Sequence, residues 1–516
     1  MEKYCEGFDI SIAEFSINDN INTIYSDLLD KNADIYCFSC YIWNIEQTLK
    51  VASMLKSAMP RGIVIFGGPE CSYNALETMS KYSFVDYIIM GEGEQTLNEL
   101  LFALKDNLDA SNIIGTASRN TINPIRKAMD LSTVKQPYTK NDIISLQDKI
   151  IYFETSRGCP FACSYCLSSI DRKVRNFPMD YVKQGLGLLL KMNVPLVKLI
   201  DRTFNCDPSR AIEIIRFIME NSQNTCVHFE VAPQLLNYEI INILKSAPKN
   251  MFQLEMGIQS ANTKTLDAIG RKCDLQKAKN NILKLQQAGN IHLHLDLIAG
   301  LPYEDYSSFA KSFDFVYSLK PDMLQLGFLK VLHGTSIKAE NSICHSPFAP
   351  YEVIYTNWLT PQELCKLKEI ENAVDRFYNS NAFSRTIELL TQKSPFVEFE
   401  KLAAILKEAE KHGSLNRAKL YELLYNHYGD EILEGLIFDF LQNNKNLALP
   451  SFAKGTQSHK FKEKCYALLK DSTFLEKYNV KPNLKNIRFE EVMDKVILID
   501  YVNNNIFDIT DFYKLQ

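Results

Sequence analysis

The sequence predicts an α/β chain in three parts. An open, doubly wound parallel sheet covers residues 1–110, a partial (β/α)6 barrel 149–340 and a helical region 347–516, with a polar linker at 111–148. Three observations carry this. Short, continuous apolar runs such as Gly62–Gly67 and Val85–Met90 have the composition of parallel strands buried on both faces. Between Ile150 and Leu329 a strand pattern followed by a helix pattern recurs six times. From Pro347 onward the period changes to that of amphipathic helices.

In the first part, Ile10–Phe15 and Ala33–Tyr41 read as strands and Ile45–Met59 as a helix. Two glycine loops, Gly67-Gly-Pro-Glu70 and Gly91-Glu-Gly-Glu94, follow strands at their carboxyl ends, where open α/β sheets bind ligands. Cys37 and Cys40 lie within a strand-like run and read as packing residues, because redox pairs of that spacing sit where a strand gives way to a helix. Asn123-Pro124 and Gln136-Pro137 punctuate the linker.

Composition narrows the class. With 46% hydrophobic and 23% charged residues the chain is ordinary for a globular protein. A net charge of −5 without a basic block argues against a nucleic-acid partner held by bulk electrostatics. Thirteen scattered cysteines, an odd number, do not form a secreted disulfide framework. No apolar run reaches the roughly 18 residues needed to cross a bilayer. The opening MEKYCEGFDISIAEF is neither a signal peptide nor a transit segment, so a reducing cytoplasm is expected and a membrane is not.

The most specific stretch is residues 151–169, IYFETSRGCPFACSYCLSS. A strand breaks at Arg157-Gly158 into a loop holding Cys159, Cys163 and Cys166. Three thiolates at this spacing can ligate three irons of a four-iron cluster, leaving one iron open. Zinc would call for a fourth Cys or His. Residues 1–227 contain no histidine, and no further cysteine lies near the triplet.

Polar residues recur at the later strand ends. The second strand ends at Asp201, the third carries His228 and Glu230, and the fourth runs Glu255-Met-Gly-Ile-Gln259-Ser260. Arg271 follows shortly after. The fifth strand, His292-Leu-His294-Leu-Asp296, alternates so that its three polar residues share a face. Such a face is costly unless it meets water, ligand or partners, so His228, His292 and His294 are candidate substrate contacts, with satisfied core histidines as the competing reading.

The cysteine spacing, with the aromatic Tyr165 before the last cysteine, resembles the radical S-adenosylmethionine (SAM) superfamily. So do Gly257-x-Gln-Ser260 and Asp296-Leu-Ile-x-Gly-Leu-Pro302. The resemblance implies a [4Fe-4S] cluster on Cys159, Cys163 and Cys166, with Tyr165 among the cofactor-binding residues. SAM would be held by Asp201 and Glu230 at its ammonium, Arg271 at its carboxylate, and Gln259 and Asp296 at its ribose. Reductive cleavage would yield a 5′-deoxyadenosyl radical that takes hydrogen from the substrate.

The first part resembles the Rossmann-like cobalamin-binding domain that precedes this barrel in many members. Its first strand and the Asp-x-His-x-x-Gly motif are absent and no histidine precedes His228, so cobalamin is not expected. The helical C-terminal region resembles the appended domain of one branch of these proteins. The layout implies a lyase acting on a small nucleoside-like substrate, with the queuine lyase of queuosine salvage as the specific expectation. A reduced flavodoxin or ferredoxin type donor would supply the electron. A cobalamin-dependent methyltransferase and a non-catalytic iron–sulfur sensor or scaffold are the alternatives.

Overall fold

The computed structural model describes residues 7–146, 149–445, 447–453, 458–481, 483, 485–492, 495–503 and 505–515. The first six residues of the expected first domain and the last two of the expected linker lie outside them. The chain divides into two compact units, Met1–Tyr306 with Gly327–Pro361, and Ser307–Leu326 with Gln362–Gln516. The expected first domain, linker and most of the barrel therefore form one unit.

The first unit opens with α1 (Ile21–Asp30), β1 (Ile35–Ser39), α2 (Ile45–Ala58), β2 (Ile63–Gly67), α3 (Pro69–Ser72), α4 (Ala75–Lys81), β3 (Tyr87–Ile89), α5 (Gly93–Lys105) and β4 (Thr116–Ala117). Strands β1, β2 and β3 pair in parallel, and β4 closes the sheet antiparallel to β3. Alternation along β2 shows why the sheet is covered on both faces. Val64 and Phe66 enter one core with Ala52, Val85 and Ile88, while Ile65 enters another with Ile89, Leu100 and Leu101.

One expected strand is not formed. Ile10–Phe15 makes no ladder in this structure, and Ile12 is 74% exposed. The segment stands across a cavity of about 880 Å³ from β1, which is the edge of its sheet. Its alternating apolar residues have the strand pattern, but a strand exists only where a neighbour supplies its hydrogen bonds.

The barrel part runs α6 (Lys140–Ser145), β5 (Ile151–Phe153), β6 (Ser156–Arg157), β7 (Arg175–Asn176), α7 (Met179–Lys191), β8 (Leu196–Leu199), α8 (Pro208–Asn221), β9 (Cys226–Glu230), α9 (Tyr238–Ser246), β10 (Phe252–Gln259), α10 (Thr263–Ala268), α11 (Leu275–Gln286), β11 (His292–Ala299) and β12 (Met323–Phe328). The sheet order is β5-β8-β9-β10-β11-β12, and the strands from β5 to β11 pair in parallel. This is the expected partial (β/α)6 arrangement, with the strands' carboxyl ends at one rim. The short β6–β7 ladder frames the cysteine loop, pairing Ser156 with Asn176 and Arg157 with Arg175.

The second unit is mostly helical. Its core includes Phe313, which packs edge-on against Phe396 and tilted against Phe399. Buried Asp439 accepts from the backbone N–H of Arg385 and Thr386 and from the Thr386 hydroxyl, tying the start of the helix Ser384–Leu390. The helical expectation misses one element. Ile487–Val492, Lys495–Asp500 and Asn505–Asp508 form a three-stranded antiparallel sheet, and Val496, Leu498 and Ile487 pack with Phe461 and Phe474. Its strands are short and interleaved with Lys, Glu and Asn, so no long alternation advertises them.

Candidate functional site

The cysteine loop is held by backbone bonds that do not involve the thiols. The amide of Cys159 donates to Asp171 O (3.0 Å), that of Ser164 to Ile269 O (2.9 Å) and that of Ile337 to Ser164 O (3.0 Å). Gly158 turns the chain at φ +89°, where a Cβ would stand 2.4 Å from Lys173 O, so only glycine permits the approach. Cys159 and Cys163 are buried and Cys166 is half-buried. All three line a cavity of about 200 Å³ at the barrel rim, with Tyr165, Arg202, Glu230, Glu255, Gln259, Arg271 and Asp296 among its other walls.

Arg271 is the central cation of that cavity. Its guanidinium reaches the backbone carbonyl of Gly257 and lies 3.7 Å from Cys163 Sγ. Burial pushes the Cys163 thiol up, and Arg271 partly opposes it. Tyr165 is also pushed up, first by burial. A register shift between Gly257 and Gln259 interrupts the β10–β11 ladder, and Gln259 sits at φ +70°. This bulge turns its carboxamide toward the cavity, where Oε1 is buried without a hydrogen-bond partner.

Glu230 faces the same space. Burial lifts its pKa to about 7; Arg202 pulls the other way, while the charges of Glu255 and Asp296 add to the rise. Asp296 lines the cavity too, with Oδ1 buried and not aligned to any partner. Two candidates lie elsewhere. Asp201 is 1% exposed and does not border the cavity. It accepts from the Thr155 amide (2.9 Å) and from the hydroxyls of Thr155 (2.6 Å) and Ser156 (2.5 Å), so its oxygens organise the approach to the cysteine loop. His292 does not line the cavity; β11 places it at the strand's start, beside Gln253.

His228 and His294 do converge, on Glu255. His228 Nε2 is 3.0 Å and His294 Nδ1 3.7 Å from Glu255 Oε2, and His294 Nε2 is 2.8 Å from Asp296 Oδ1. The hydrogen bond from His228 holds the Glu255 carboxyl below its usual range despite burial. Glu255, Arg202 and Thr203 were not selected from sequence. Thr203 Oγ1 lies 3.4 Å from Cys159 Sγ. Glu255 had a legible signal, the one charged residue of its strand, whereas Arg202 and Thr203 sit in a turn with no pattern.

The glycine loops of the first sheet meet the barrel through ion pairs. Arg157 contacts Glu94 (2.7 Å), Glu154 (2.9 Å) and Glu92 (3.3 Å), and Arg175 contacts Glu92 and Asp171. Glu70 is buried and accepts from the Tyr351 hydroxyl, with His333 Nε2 at 3.8 Å. The cavity beside it measures about 230 Å³. No imidazole precedes His228. As arranged here, this face does not fit a corrin with a histidine below its cobalt. The cysteine loop and its cavity, in contrast, fit an iron–sulfur cluster with an open iron and a ligand bearing amino, carboxylate and hydroxyl groups.

Comparison with known proteins defines the class. Residues 153–316 match the radical SAM superfamily and residues 3–101 the B12-binding domain. Residues 340–513 match DUF4080, a family described as of unknown function. The chain therefore carries a B12-binding domain followed by a radical SAM domain. It is 27% identical over 335 residues to the 2-(S-pantetheinyl)-carbapenam-3-carboxylate methyltransferase of Streptantibioticus cattleyicolor, covering 59% of this chain and 47% of that one. It is 28% identical over 308 residues to the cobalamin-dependent radical SAM methyltransferase TokK of Streptomyces tokunonensis, covering 54% and 44%.

The chain thus spans about half the length of these curated relatives. Among solved structures it shares the fold of the methyltransferase TsrM from Kitasatospora setae (TM-score 0.55, 14% identity, 67% of this chain and 73% of that one). It also shares that of the cobalamin-dependent SAM radical enzyme OxsB (TM-score 0.57, 16% identity, 83% and 70%). The match over residues 3–101 and these cobalamin-dependent relatives weigh against the expectation that cobalamin is absent. They lend no support to queuine lyase.

Proposed function

We propose that this chain is a radical SAM enzyme of the cobalamin-dependent, methyl-transferring kind, acting on a small-molecule substrate. The observation that carries the radical SAM reading is a single cavity lined by three loop cysteines together with Arg271, Gln259, Glu230 and Asp296. When bound, the cluster supplies one electron to cleave the carbon–sulfur bond of SAM. Around it, Arg271 offers a paired guanidinium to a carboxylate, and Glu230 an acceptor to an ammonium. Gln259 presents an unsatisfied Oε1 to hydroxyl groups, and Asp296, whose Oδ1 stands 2.8 Å from His294 Nε2, adds a carboxylate to the same wall. Asp201 acts one step back, fixing Thr155 and Ser156 before the loop.

Methyl transfer is favoured over base release by the named relatives, while the residues of the first sheet supply no histidine to cobalt. No residue in the cavity favours base release.

Two assays test the proposal. Anaerobic reconstitution, reduction and SAM addition should yield 5′-deoxyadenosine, and its absence in the C159A, C163A and C166A variants ties the product to the loop. Hydroxocobalamin added before desalting should be retained one per chain. Failure to retain it would remove the methyltransferase reading while leaving the radical SAM reading to the first assay.

A further inference from the structure

Three adjacent strands bring three ligand-type side chains together below the rim: His294 is level with Glu255 in the β10–β11 register, and His228 is level with Gln253, two residues earlier on β10. His228 comes from β9, Glu255 from β10 and His294 from β11, and each offers one atom within 4.8 Å of the others. We infer that His228, Glu255 and His294 form a second metal site, separate from the cysteine loop, for one borderline divalent first-row cation of the zinc class.

The distances suit an ion. Two ligand atoms each about 2.1 Å from one metal stand about 3.0–3.4 Å apart, depending on tetrahedral or octahedral geometry. The observed 3.0 Å between His228 Nε2 and Glu255 Oε2 and 3.7 Å between His294 Nδ1 and Glu255 Oε2 bracket that interval. Two imidazoles and one carboxylate are a donor set that zinc and ferrous iron both accept.

Two further observations point the same way. If Nδ1 of His294 binds the ion, Nε2 carries the proton, and Nε2 lies 2.8 Å from Asp296 Oδ1. A carboxylate behind a ligating imidazole is the usual arrangement that sets its tautomer. His228 is 5% exposed, and its buried ring turns Nε2 to within 3.0 Å of the same Glu255 oxygen. The opposing consideration is Lys198, which stands beside His228 in the β8–β9 register and whose charge favours the Glu255 carboxylate. A lysine there is the alternative counter-charge to a metal.

Glu255 and Asp296 also border the rim cavity, so an ion bound here would direct its remaining coordination positions toward a ligand's oxygen or nitrogen. The site does not depend on which reaction the cluster starts.

The test uses the full chain with its cluster reconstituted and its iron content measured, so that the loop thiols are occupied. Zinc is added, excess is removed by desalting, and bound zinc is counted by elemental analysis. One zinc per chain is expected, with an absorption-edge spectrum showing only nitrogen and oxygen neighbours. H228Q and H294Q should each weaken retention at least tenfold at unchanged iron content and far-UV circular dichroism, while H292Q should not. Three results would overturn the site: no zinc retained by the wild type, a sulfur shell around it, or retention by H228Q and H294Q equal to that of the wild type.

Discussion

Gly257 shows how closely the rim is packed at single-atom scale. A Cβ there would stand 2.0 Å from the Gln259 carboxamide nitrogen and 3.5 Å from Arg271 Nη2. The obstructing atom is the end of a flexible side chain, so the protein should fold. G257A is expected to displace Gln259 and weaken SAM binding about tenfold, about 1.4 kcal/mol, with iron content unchanged. Isothermal titration with SAM checks it, and unaltered affinity would show that Gln259 does not touch the cofactor.

Glu230 gives a pH signature at the same scale. Its folded pKa of about 7 is raised above the usual 4.5, so its contribution to stability is fully present below about 4.5 and is lost as pH rises through about 7. E230Q should therefore be more stable than the wild type at pH 8 by about 1–2 kcal/mol and no more stable at pH 4.5, read from urea midpoints. SAM binding runs the opposite way. An ammonium prefers the ionised carboxylate, so wild-type affinity should rise between pH 6 and 8 and that of E230Q should stay flat.

At the scale of elements, the strap between β6 and the loop after β3 is an electrostatic joint. Arg157 is 18% exposed at its side chain and meets three carboxylates, which hold its guanidinium charged against burial. Removing it leaves Glu92, Glu94 and Glu154 crowded. R157A should cost about 2 kcal/mol, below the value for a fully buried pair because solvent reaches the group. A urea midpoint unchanged from the wild type would mean that the joint contributes only geometry.

The element scale also explains where sequence reading succeeded and where it stopped. Parallel strands such as β2 and β11 were legible because burial on both faces or alternation leaves a pattern in neighbouring residues. The run Ile10–Phe15 has that pattern and is no strand, because pairing depends on a partner outside the segment. The small C-terminal sheet was illegible for the converse reason: its polar edges break the alternation while tertiary packing against Phe461 and Phe474 stabilises it.

At the scale of the whole molecule, the cysteine loop is tied to distant segments of its unit by main-chain hydrogen bonds. Its amides donate to the carbonyls of Asp171 and Ile269 and its Ser164 carbonyl accepts from the Ile337 amide, and none of these bonds involves a thiolate. The triple variant C159A/C163A/C166A should lose all cluster iron yet melt within about 5 °C of the metal-free wild type. A loss of cooperative unfolding would show instead that the cysteines hold the first unit together. No helix among the described residues is long and apolar enough to cross a membrane.

The sequence alone determined the chemistry that can occur at the loop, because ligand identity and spacing are local properties: three cysteines, seven residues apart end to end, with no fourth ligand nearby. It also determined the order of strands and helices through their periods. Only the tertiary structure decided which polar residues share a space. Asp201 turned inward to Thr155 and Ser156, His292 stayed outside the cavity, and Glu255 drew His228 and His294 together, because strand register and a bulge at Gly257 set those meetings across segments far apart in the chain.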